Sequence, residues 1–158
     1  MNCKERLESY LRQNGVPFEV QHHARAITAQ EVAATEHVPG RMFAKVVMVL
    51  ADEKMAMLVL PAPHHVNPEK AAEALGVGEV RLADEESFKD TFPDCEVGAM
   101  PPFGNLYGVP VYADESLAED ETMFFRAGTH TDTMSVRYAD FQRLVEPTVG
   151  EFADPPSA

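Results

Sequence analysis

Two apolar runs joined by a charged turn do most to limit how this chain can fold. Residues 46–50 read VVMVL and residues 55–60 read MAMLVL, with Asp52, Glu53 and Lys54 between them. Short, Val- and Leu-rich runs bounded by a turn signal read as strands, and the pair reads as a hairpin whose first strand is buried. Everything else must pack around that hairpin.

Helices and strands alternate on either side of it. Leu7, Tyr10 and Leu11 fall at helical spacing in residues 3–13, with Asn2 placed to cap the start and Gly15 the end. Residues 16–20 (VPFEV) read as a strand with Pro17 at its edge. Thr28, Ala29, Gln30 and Glu31 form a capping box for a helix ending near Pro39 and Gly40. Asn67 and Pro68 open another helix that stops at Gly76. Asp84 caps an expected helix over EESFKDTF. Strands are expected at residues 80–82, 110–113, 123–127 and 134–136, and a last helix at 138–145. The predicted class is α/β, with a mixed, strongly curved sheet and helices outside it. Residues 1–146 form the expected single domain, and the proline-bearing tail 147–158 is expected to be loosely ordered.

Charge and cysteine content exclude some functions. The 158 residues carry a net charge of −13, which argues against broad, nonspecific nucleic-acid binding. Residues 1–50 hold six Lys/Arg against five Asp/Glu, and residues 51–158 hold seven against twenty-one. A polyanion would therefore meet the first fifty residues more readily. No apolar run reaches the roughly 18 residues of a membrane span, and the N-terminus lacks a signal-peptide stretch, so the expected compartment is the cytoplasm. Cys3 and Cys95 have no metal-ligand spacing and read as free thiols on that basis. His22 and His23 read as solvated residues at a strand end, and no metal or other cofactor is expected.

Two features carry chemistry. The stretch 97–104, VGAMPPFG, sets two prolines between two glycines. It is a shaped loop whose N–H groups on Gly98, Ala99, Met100, Phe103 and Gly104 can converge on a developing oxyanion. The plain alternative is a turn between strands. Lys45 stands at the entry to the apolar run 46–50. It is either a lysine whose head snorkels to water or a fixed cation facing a pocket.

Taken in order, Ala44-Lys45 before an apolar strand, Gly98 to Pro102 as Gly-x-x-x-Pro followed by Phe103-Gly104, and Phe125-Arg126-Ala127-Gly128-Thr129-His130 make the chain similar to a known family. It resembles the aminoacyl-tRNA deacylases of YbaK and ProX type, also found as the editing domain of bacterial prolyl-tRNA synthetases, over about residues 4–146. The resemblance implies a barrel-like sheet and hydrolysis of the ester joining a wrong amino acid to its tRNA, with alanine-sized groups as substrates. It implies Lys45, Gly98, Ala99 and Met100 as catalytic positions. Pro101, Pro102, Phe103, Gly104, Gly128 and His130 would contact substrate, His130 tuning substrate choice. The terminal ribose hydroxyl of the tRNA would help activate water. The implied partners are the acceptor end of a mischarged tRNA and a synthetase that delivers it; no membrane is implied. Pro101 departs from the small polar residue many members carry there and removes one N–H. A non-catalytic module of the same fold, binding a nucleotide, an aminoacyl-adenylate or a protein, is the competing reading.

Overall fold

The computed structural model describes residues 1–23 and 38–156. Arg25 and the helix expected from Thr28 lie outside the described residues. Helix α1 is Cys3–Gln13. Its capping box is reciprocal: Asn2 Oδ1 accepts from the Glu5 N–H at 2.9 Å, and the Glu5 carboxylate accepts from the Asn2 N–H at 3.1 Å. Strand β1 is Glu19–His22, displaced from the expected 16–20. Strands β2 (Ala44–Ala51) and β3 (Lys54–Pro61) form the expected hairpin, paired from Ala44 with Pro61 to Ala51 with Lys54. Asp52 and Glu53 make its turn with φ of 46° and 69°, the hand that fits strand twist but that non-glycine residues seldom adopt. The Asp52 carboxylate accepts from the N–H groups of Gly78 and Glu79 at 3.1 and 3.0 Å, which ties the turn to the next segment.

Strand β4 is His65–Val66, and α2 is Pro68–Leu75, capped by Asn67 and ended by Gly76 at φ +69°. Strand β5 is Val80–Leu82. Helix α3 is Glu85–Phe88 and stops after one turn, short of the expected residue 92. Pro93 disfavours helical backbone at Phe92, and the chain runs on in separate turns such as Thr91 N–H to Phe88 C=O. Then come β6 (Val111–Asp114), β7 (Thr122–Arg126), β8 (Asp132–Arg137) and α4 (Tyr138–Val145), followed by β9 (Thr148–Gly150) and β10 (Ala153–Asp154).

The central sheet runs β5-β2-β3-β6-β9 and is mixed, with β3–β6 and β6–β9 parallel. A second sheet runs β1-β8-β7, and β4 pairs with β10. A bridge between Phe43 and Phe124 sets the second sheet against the start of β2. The sheets wrap around a core as expected, but among the described residues none closes into a barrel.

Alternation along the hairpin explains its unbroken apolar sequence. Ala44, Met48, Met57 and Val59 face the main core with Leu7, Leu11, Phe103, Phe125 and Phe141. Val49, Ala51, Ala56, Leu58 and Leu60 face a second core with Ala71 and Phe152. Both faces of the sheet are buried, so no polar alternation appears in the sequence.

Three expectations are corrected. The tail beyond Glu146 is not loose through residue 154. Buried Asp114 accepts from the N–H groups of Phe152 and Ala153, both at 2.9 Å, and Phe152 is fully buried. A carboxylate on β6 that claims two backbone donors pins the segment, and a full phenylalanine of apolar surface reinforces it. Cys3 and Cys95 are also not free thiols: they are joined in a disulfide. The start of α1 docks on the turn at residue 94, through Cys3 N–H to Asp94 C=O at 3.0 Å and Arg6 to the Asp94 carboxylate at 2.9 Å. That docking brings the sulfurs together across 92 residues of sequence. His23 likewise is buried rather than solvated.

Candidate active site

A cavity of ≈160 Å³ opens where the start of β2 meets the glycine-proline loop. Phe43, Ala44, Lys45 and Val46 line it from the strand, Gly98 and Met100 from the loop, and Arg126 from the end of β7. Lys45 has no ion-pair or hydrogen-bond partner among the described residues. It is half-buried, and burial lowers its pKa from the ordinary 10.5. An unneutralised cation at the mouth of a cavity is poised for an anionic or developing-anionic oxygen. Lys45 also borders a second, wider groove of ≈350 Å³ on its other side, floored by Val47, Val49, Val66 and Leu82.

The loop reaches the cavity in a fixed orientation. Three successive carbonyls are held from the β7–β8 side. The Val97 carbonyl accepts from His130 Nε2 at 2.8 Å, the Gly98 carbonyl from Arg126 Nη1 at 2.9 Å, and the Ala99 carbonyl from the Gly128 N–H at 2.9 Å. In return the Glu96 N–H donates to the Gly128 carbonyl at 2.9 Å, and the Glu96 carboxylate accepts from the His130 N–H at 3.1 Å. Across a trans peptide the C=O and the following N–H point in opposite directions. With the Val97 and Ala99 carbonyls turned toward β7–β8, the N–H groups of Gly98 and Met100 point away from it. Neither donates to another described residue. Gly98 sits at φ +84°, which this path requires.

The expected site residues divide. Lys45, Gly98 and Met100 share the cavity. Ala99 does not offer its N–H, which donates to the Glu96 carbonyl at 3.0 Å, and its side chain is buried. Pro101, Pro102, Phe103 and Gly104 are all buried and outside the cavity lining. Phe103 packs edge-on to Phe141 and against Phe125, so its ring belongs to the core. A Cβ at Gly104 would lie 3.0 Å from the Val109 carbonyl, which makes that glycine a packing requirement. Gly128 supports the loop from behind, with Cys3 Sγ 2.7 Å from where its Cβ would be. His130 also stands behind the loop. A carbonyl can only accept, so Nε2 carries the proton and cannot take one from a substrate. Arg126 had no assigned role from sequence, although alternation along β7 puts it on the face of Phe124, whose backbone bridges to Phe43.

A hydroxyl, a carboxylate and an imidazole do cluster nearby, but in an order unsuited to a nucleophile. Thr129 donates to Asp132 Oδ2 at 2.6 Å and His22 Nδ1 meets Asp132 Oδ1 at 2.9 Å, so the acid separates the other two. Burial pushes the Asp132 carboxyl up, and the Thr129 and His22 hydrogen bonds more than offset it, holding it below its ordinary range.

The model of the aminoacyl-tRNA editing domain matches residues 23–144. The chain belongs to that family. The proline–tRNA ligase of Thiobacillus denitrificans is 31% identical over 108 residues, covering 66% of this chain and 19% of the ligase. That of Bacillus cereus strain AH187 is 29% identical over 89 residues, 56% and 16% respectively. This editing-domain chain thus spans less than a quarter of the length of those curated relatives. Among solved structures, hypothetical protein APE2540 superposes with TM-score 0.84 at 18% identity, over 94% of this chain and 99% of that one. A candidate trans-editing enzyme for prolyl tRNA synthetase superposes with TM-score 0.82 at 18% identity, over 96% and 97%. At that identity the superpositions speak for the fold. Among the described residues no helix is long and apolar enough to cross a membrane.

Proposed function

We propose that the chain is a deacylase that hydrolyses the ester of mischarged aminoacyl-tRNA. One observation carries the reading: a half-buried Lys45, without a partner among the described residues, lines a small cavity with Gly98 and Met100, whose N–H groups are likewise unengaged among those residues. Ester hydrolysis builds negative charge on the carbonyl oxygen, and preorganised backbone donors are well suited to it. Pro101 follows both donors, so the N–H it lacks is not one of them. A cavity of ≈160 Å³ is close to the roughly 150 Å³ that accommodates a benzene ring, so it suits an alanyl or similarly small group. The wider groove beyond Lys45 offers a place for the terminal adenosine, with the ester lying at the lysine between the two. With no carboxylate or imidazole among the described lining residues, the ribose hydroxyl beside the ester is the candidate to position the attacking water.

The direct test is incubation with a panel of charged tRNAs. Turnover on any of them supports the deacylase. Saturable binding without turnover on all of them would instead make the chain a binding module.

Two further results are expected. Arg41 is exposed, pairs with Asp120 at 3.5 Å, and lies in the less acidic first fifty residues. Arg41→Glu should slow deacylation of tRNA about threefold to tenfold at low salt, less at high salt, and spare a small ester mimic. Equal effects on both substrates would remove tRNA contact from this face. His130→Ala releases the Val97 carbonyl behind the loop. It should slow every charged tRNA by about tenfold or less, one step of ~1.4 kcal/mol. A reordered substrate ranking with the best rate preserved would return His130 to substrate selection.

A further inference from the structure

Arg126 borders the cavity with no task in the reaction as proposed. Its guanidinium donates to the Gly98 carbonyl at 2.9 Å, in the middle of the segment that presents both unbonded N–H groups. That segment has a reason to need holding. Gly98 is exposed and lies at φ +84°, and glycine passes readily between backbone wells. The Gly98 carbonyl belongs to the Gly98–Ala99 plane, which lies between the planes that carry the Gly98 and Met100 N–H groups, so any freedom in that plane passes to both through the Gly98 and Ala99 Cα atoms.

The neighbouring planes are held by neutral or shared groups: a backbone N–H at Ala99 and an imidazole N–H at Val97. The central plane alone receives a permanently charged donor, and charge-assisted hydrogen bonds are the stronger kind. We propose that Arg126 is a positioning residue: by holding the Gly98 carbonyl it keeps the Gly98 and Met100 N–H groups aimed into the cavity. This inference rests on the deacylase reading for its consequence in rate, but not for the contact itself.

The test pairs kinetics with a measurement that needs no substrate. Arg126→Met should lower kcat on the best charged tRNA by about tenfold or more, with KM held within about threefold, because only transition-state contacts are disturbed. Arg126→Lys should recover part of the loss. In the same Met variant, without tRNA, the Gly98 carbonyl carbon resonance should move away from its wild-type position, and thermal melts should show a folded chain. If the Met variant does not fold, the Lys variant carries both measurements, with a smaller shift expected. An unchanged kcat, a rise in KM alone, or an unmoved Gly98 resonance would overturn the inference. A rise in KM alone would make Arg126 a simple substrate-binding cation. A wild-type chain inactive on every charged tRNA would end the deacylase reading, and the Gly98 resonance would still judge the clamp.

Discussion

Lys45→Ala is expected to lower single-turnover deacylation by about 10²–10³-fold, the scale seen when one oxyanion-stabilising group is lost. The Lys45 backbone is held by pairing with Leu60 of β3 and the residue lines the cavity with Gly98 and Met100, so its charge has a defined origin. Lys45→Arg should fail as well, because the planar guanidinium cannot set its charge where a compact ammonium sat. Stability should move the other way. Burial lowers the Lys45 pKa from 10.5, so between the two values the folded chain binds fewer protons than the unfolded one. Stability from this group therefore rises with pH across that window, and below it the charged lysine is a cost. Lys45→Met, which keeps the apolar stem, should melt at or above the parent temperature at neutral pH while losing activity. Parental hydrolysis by Lys45→Ala would reduce the residue to a snorkelling lysine and remove the main support for the enzyme. On the alkaline side, wild-type activity should decline below pH 10.5 as the ammonium is lost.

The parts of the fold that depend on neighbouring residues were legible in the sequence. The hairpin, the Asn2 and Asn67 caps, and α4 all rest on local period or a side chain bonding its own turn. What the sequence hid was long-range. Asp114 reads as an acidic residue in an acidic stretch, yet it pins residues 152 and 153 some 38 positions away. Phe103 and Gly104 share the glycine-proline loop with Gly98 and read as pocket residues, whereas the chain turns inward after Gly98 and buries them. Arg126 was present in the FRAGTH motif, but only the Gly98 carbonyl gives it meaning. Lys45, Gly98 and Met100 were legible because an isolated lysine before an apolar strand and a glycine-proline loop are conspicuous in themselves. Which loop donors are unengaged was not, since that depends on Glu96 accepting from Ala99.

Loss of the Cys3–Cys95 bond is expected to be the largest change in stability that leaves the chemistry in place. The bond closes 92 residues of chain, and loops of this length gain roughly 2–5 kcal/mol from such a link through restriction of the unfolded state. For a chain of this size each kcal/mol moves the melting point by about 2–4 °C, so Cys3→Ser, Cys95→Ser or a strong dithiol should lower it by about 10 °C. Cys3 is only 1% exposed and Gly128 leaves no room beside its sulfur, whereas Cys95 is partly buried, so reagents should reach the Cys3 thiol only on unfolding. The bond lies just upstream of the loop that presents Gly98, yet that loop is held by Arg126, Gly128 and His130 rather than by the sulfurs. Single-turnover rates well below the melting range should therefore stay within about threefold of the parent, under 1 kcal/mol of barrier. Differential scanning with and without reductant, alongside thiol counting on the unfolded, unreduced chain, checks this. Equal melting points together with two thiols titrated once the unreduced chain is unfolded would show that the sulfurs are packed side by side without being joined, and the stability of α1 on the residue-94 turn would then rest on Arg6, Asp94 and the Cys3 N–H alone.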